Sequence, residues 1–93
     1  MVKATWNGEV IAESNETVVV EGNHYFPLSS IKPGVLTEST HTSVCHWKGK
    51  ANYFNVVAKG AVNANAAWTY HAPSAAAAAI TDRVAFWKGV TVA

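Results

Sequence analysis

The residues most able to do chemistry stand in "TSVCHWKGKANYF", residues 42–54. Cys45 is the only cysteine in the chain. His41 and His46 flank it, Lys48 and Lys50 follow, and Trp47 and Tyr53 bracket a glycine. A thiolate is a nucleophile once a base or a cation lowers its pKa from about 8.5. Lys48 is the cation nearest in sequence, and His24 or Glu21 could serve as acid–base partner. The plainer alternative is a small buried hydrophobe, because free cysteine is among the most buried residue types. The histidines match no metal-ligand spacing, and one thiol cannot build a multi-thiolate zinc site, so no metal and no cofactor are expected.

Positioning these groups requires strands. Along a strand alternate side chains share a face, which puts Ser43, Cys45 and Trp47 together. If "KGK" is a three-residue loop, Trp47 opposes Ala51 and Cys45 opposes Tyr53, with His46 on the reverse face. A register shifted by one would scatter the group. Glu21 ends a run of three valines and, by alternation, shares the face of Val19. "EGNHY" thus offers Glu21, His24 and Tyr25 to the rim of the same site, with Lys48 beside them. Trp6, Trp47, Trp68 and Trp87 are many tryptophans for 93 residues. They either fill the core or line a pocket for a flat or cationic ligand. The candidate catalytic set is therefore Cys45, Glu21 and His24. The candidate binding set is Trp47, Tyr53, Tyr25, Lys48 and Trp68.

Turn signals are closely spaced. Asn7-Gly8 suits a type I′ hairpin between residues 2–6 and 9–13. "EGN" marks a bend, and Pro33-Gly34 a tight turn. Strands are expected in "VLTES", "TSVCHW" and "ANYFNVVAKG", and in "AVNANAAWTYHAP" up to Pro73. "SAAAAAI" is the one helix candidate, capped by Ser74. It is too short to persist without packing on the sheet. "RVAFWKGVTV" reads as a closing Trp-Lys-Gly hairpin. Trp-x-Gly recurs at 6–8, 47–49 and 87–89, without flanks similar enough to support a duplication. The fold class is mainly β: a single domain over 1–93, a small antiparallel half-open barrel with one short helix.

Composition narrows the function classes. Apolar residues make up 49% and charged residues 14% of the chain, too apolar for disorder. Net charge is +1 with no basic stripe, so nucleic acid is not an expected partner. No apolar run reaches the ~18 residues of a membrane span, and the polar N-terminus is unlike a signal peptide, which predicts a cytoplasmic protein without membrane attachment.

"TWNGEVIAES", "VEGNHYFP", "SVCHWKGKANYF", "NAAWTYHAP" and "VAFWKG", taken in order, resemble the family called domain of unknown function 427. The resemblance implies a compact β-tent-like domain. Many β-tent proteins hold zinc through two Cys-x-x-Cys knuckles, which this chain lacks. The family has also carried a nucleotidyltransferase label. That chemistry needs paired carboxylates for magnesium. Glu9, Glu13, Glu16, Glu21, Glu38 and Asp82 contain no acid-x-acid pair. The function expected is small-molecule binding in an aromatic pocket around Cys45. The alternatives are an enzyme using Cys45 with a histidine or glutamate, and an interaction module that could form a homodimer through open sheet edges.

Overall fold

A computed structural model describes residues 1–93. The chain forms nine strands. These are β1 (Val2–Trp6), β2 (Glu9–Ser14), β3 (Val18–Val20), β4 (Asn23–Tyr25), β5 (Leu36–Cys45), β6 (Gly49–Ala58), β7 (Ala61–Thr69), β8 (Val84–Phe86) and β9 (Thr91–Val92). They make three antiparallel sheets in the orders β2-β1-β9, β3-β4 and β5-β6-β7-β8, and no barrel closes. The mainly-β expectation holds.

Three tight turns explain much of this order. Asn7-Gly8, Glu21-Gly22 and Lys59-Gly60 all have two successive positive φ angles, the geometry of type I′ hairpins. The first is where the Asn-Gly pair predicts it, and Trp6 pairs with Glu9 across it. Glu21 is a less usual occupant, because a side chain other than Gly, Asn or Asp pays for a left-handed backbone. Its position in the turn also ends the alternation counted from Val19.

The four-stranded sheet has two dissimilar faces. Phe54, Ala67 and Phe86 lie in register across β6, β7 and β8. Together with Val56 and Val84 they pack against Ala4, Ile11 and Ala12 of the β2-β1-β9 sheet and against Phe26. Phe26 is fully buried and meets Phe86 edge-on with centroids 5.6 Å apart. Burying a side chain of that size contributes roughly 1.5–3 kcal/mol. Paired backbone bonds between Phe26 and Val84, at 2.8 and 2.9 Å, tie the β3-β4 hairpin to β8. On the other face Tyr53, Trp68 and Ala85 lie in register. There Ala51, Tyr70 and Ala85 pack with Tyr25, Ala77 and Ile80.

Three expectations are corrected. Residues Ala75–Ile80 form 3-10 turns broken at Ala77 (φ −112°, ψ 17°), and Ser74 supplies no side-chain cap. Its hydroxyl instead donates to the Trp47 carbonyl at 2.6 Å. Six alanine-rich residues bury only Ala77 and Ile80, too little to hold a regular helix. Lys88-Gly89 turns the chain with φ of 52° and 85° but closes no hairpin. β8 before it pairs with β7, and β9 after it pairs with β1, so the turn passes the chain from one sheet to another. The hairpin at 42–54 turns earlier than expected. Cys45 pairs with Gly49 and Ser43 with Ala51, so the loop is His46–Lys48. Trp47 lies in that loop and opposes nothing.

Candidate functional site

The site is assembled on the second face of the four-stranded sheet. Trp68 sits opposite Tyr53, and Tyr70 follows two residues later on the same side. Small Ala51 and Ala85 stand between the large rings, and the β3-β4 hairpin brings in Tyr25 and Asn23 from above. The result is an open concavity of about 190 Å3 lined by Asn23, Tyr25, Lys48, Tyr53, Trp68, Tyr70 and Trp87.

Two ring pairs of the site meet edge to face, and the others are tilted. Tyr25 and Trp68 meet at 6.2 Å and 88°, and Trp68 and Trp87 at 5.8 Å and 81°. Such geometry sets the positive edge of one ring against the negative face of the next. Hydrogen bonds fix several of them. Trp68 Nε1 donates to the Tyr25 hydroxyl at 3.2 Å, Trp87 Nε1 donates to the Asn65 carbonyl at 2.6 Å, and Tyr53 shares a 2.9 Å bond with Ser43. The His41 ring lies against Tyr53, tilted by 58° with centroids 4.6 Å apart.

Lys48 closes one side. The three-residue loop turns its side chain inward, where it is only 7% exposed. The ammonium lies 4.8 Å from the centroid of its own neighbour Trp47 and 5.8 Å from that of Tyr70. It donates to the Glu21 carboxylate, whose other oxygen accepts from Trp47 Nε1 at 3.4 Å. Burial opposes the charge on Lys48, but the Glu21 carboxylate and the Cys45 sulfur outweigh it and raise the lysine pKa. Glu21 is lowered, chiefly by the Lys48 hydrogen bond. Burial raises Tyr25 and pushes Tyr70 up to about 12, so both phenols stay neutral.

Cys45 lies at the end of β5, half-buried beside this cluster, and does not line the concavity. The backbone N–H groups of Trp47 and Lys48 and then the Lys48 ammonium hold its thiol below the ordinary pKa.

The structure thus gathers Glu21, Trp47 and Lys48 into one hydrogen-bonded group and Tyr25, Tyr53 and Trp68 into one ring cluster, with Cys45 adjoining. It does not bring His24 to them. Asn23 and Tyr25 face the concavity, and His24, between them on β4, takes the other side, where its Nδ1 bonds Thr17 at 2.8 Å. The other histidines are dispersed: His46 is exposed in the loop, and His71 pairs with Asp82 at 2.7 Å. No three His, Cys, Asp or Glu side chains converge. Sequence reasoning did not select Asn23, Tyr70 or Trp87. Alternation from Trp68 would have reached Tyr70, whereas Trp87 depends on how β8 docks beside β7.

A family model described as a domain of unknown function (DUF427) matches residues 1–92. The chain belongs to this family. The DUF427 description assigns no reaction, and no curated protein matches the chain. No helix is long and apolar enough to cross a membrane.

Proposed function

We propose that this DUF427 domain binds a small molecule in the ring-lined concavity. The observation that carries the reading is the grouping of Tyr25, Tyr53, Trp68, Tyr70 and Trp87 with a single buried cation around one gap. Binding sites of this kind combine apolar walls with a few convergent polar groups. A folded domain gains most from large rings packed to full density. Leaving a gap among five of them, over two alanines, favours an occupant. The test is a fragment screen read by the indole N–H resonances of 15N-labelled protein. Saturable shifts confined to Trp68 and Trp87, and abolished in Trp68→Ala, support the reading. Hits that move only residues elsewhere, such as the groove between Val10–Glu13 and Ser29–Pro33, refute it.

A second reading rests on a different feature, the free thiol of Cys45, half-buried at the end of β5 against the ring cluster and lowered in pKa by the Trp47 and Lys48 backbone. In it the domain is an enzyme or sensor whose nucleophile is the Cys45 thiolate, with Lys48 as its counter-charge and Glu21 orienting Lys48. Its test is the pH dependence of alkylation by iodoacetamide. A midpoint below that of a free thiol is expected. A rate that rises only above pH 8.5 removes this reading.

A further inference from the structure

We propose that the ligand is a small aromatic carboxylate, its ring held among Trp68, Tyr70 and Trp87 and its carboxylate on the Lys48 ammonium and the Tyr70 hydroxyl. The inference rests on the small-molecule reading above and adds the chemical class.

The polar groups around the gap can all donate. Tyr70 is only 5% exposed, and its hydroxyl makes no hydrogen bond within the chain. Every side-chain oxygen or nitrogen sealed from solvent has a partner, so this hydroxyl is not sealed. Tyr70 is also one of the seven residues lining the concavity. A buried phenol with an unused O–H is poised to donate to something that is not part of the chain. The ammonium of Lys48 carries three N–H donors. Glu21 takes one, and no other hydrogen bond from this ammonium forms within the chain. The Asn23 amide, half-buried at the rim, also has no partner in the chain.

Charge and size narrow the class. Rings alone would suit a quaternary ammonium. Lys48 is the one charged side chain lining the gap, its Glu21 partner standing outside the lining and largely exposed, so a second cation is disfavoured there. An anionic head relieves the donors instead, and charge-assisted bonds are the stronger kind. The gap of about 190 Å3 is slightly larger than the ~150 Å3 cavity that admits benzene. One ring with a carboxyl group fits within it, and a larger ligand would extend out of its open side.

The probes are benzoate, benzamide and benzylammonium, which share a ring and differ in head charge. Titration into 15N-labelled protein is followed at the Trp68 and Trp87 indole N–H signals. Benzoate is expected to bind at least tenfold more tightly than benzamide, with benzylammonium weakest. Lys48→Gln should weaken benzoate at least fivefold and leave benzamide within twofold. Tyr70→Phe, which keeps the ring and hence the packing, should also weaken benzoate severalfold. Equal binding of benzamide and benzoate, or benzoate unaffected by Tyr70→Phe, overturns the carboxylate class while leaving a binding concavity. Absence of a saturable shift with all three probes overturns both.

Discussion

Trp47-Lys48-Gly49 and Trp87-Lys88-Gly89 are identical tripeptides with opposite fates. Both lysines lie over the ring of the tryptophan before them, at 4.8 and 5.0 Å. Lys88 adopts φ 52°, Gly89 φ 85°, and the lysine is exposed. At the other site Lys48 is buried with a normal negative φ, and Gly49 alone takes the strained angle, φ 114°. Local sequence therefore sets the stacked Trp-Lys pair but not the direction of the turn. Direction is decided by what lies across: a carboxylate and a phenol ring beside Lys48, open solvent beside Lys88.

The largest expected difference between the two is at the glycines. Gly49→Ala forces a side chain to φ 114°, outside the left-handed well, and should cost about 2–3 kcal/mol in urea unfolding. Gly89→Ala stays near that well with nothing within 4 Å, and should cost about 1 kcal/mol. Equal losses would mean that the two turns are not different after all. The lysines come next. Lys48→Ala removes a buried stem packed against two rings and should cost about 1–2 kcal/mol, mostly through packing because its Glu21 partner is largely exposed. Lys88→Ala should stay within about 0.5 kcal/mol.

Chemistry sharpens the contrast further. Lys48→Gln should raise the apparent pKa of Cys45 in iodoacetamide kinetics, but only part of the way, because the Trp47 and Lys48 backbone N–H groups are the larger cause of its depression. Lys88→Gln should leave the profile unchanged. The smallest effect concerns acid. The folded-state pKa of Glu21 is lowered, so its contribution is present above the unfolded value of 4.5 and is lost as pH falls through the folded value. Acid titrations of stability for the native chain and Glu21→Gln should therefore diverge only above that folded value, and less so in high salt.

The legible parts of the fold were those written in local backbone chemistry. Asn7-Gly8 can hardly be anything but a type I′ turn, and the valines and alternating segments read as strands. Glu21-Gly22 and Lys59-Gly60 make the same turn without an asparagine to announce it. The hairpin at 42–54 was legible as a hairpin but not in register. Gly49 suggested the middle of the loop, whereas inward packing of Lys48 makes it the first residue of β6. The membership of the ring cluster was half legible. Tyr25, Tyr53 and Trp68 follow from alternation and composition, and the alternation that admits Tyr25 turns His24 away, but Trp87 depends on how β8 docks beside β7. That docking is a tertiary event with no short-range signature.

The attachment of Ser74 to the loop has a consequence for motion. The Ser74 backbone N–H donates to the Lys48 carbonyl at 2.9 Å, and its hydroxyl donates to the Trp47 carbonyl. The alanine-rich 3-10 segment beyond it has little apolar area to hold it down and a broken helical ladder. Segments of that kind open locally at a small fraction of the global unfolding free energy. When this one lifts, the loop carrying Lys48 loses two of its anchors at the same moment. Amide exchange at Ser74 and Ala77 should then keep time with exchange in the His46–Lys48 loop, making the two a single breathing unit set against the slower sheet behind them.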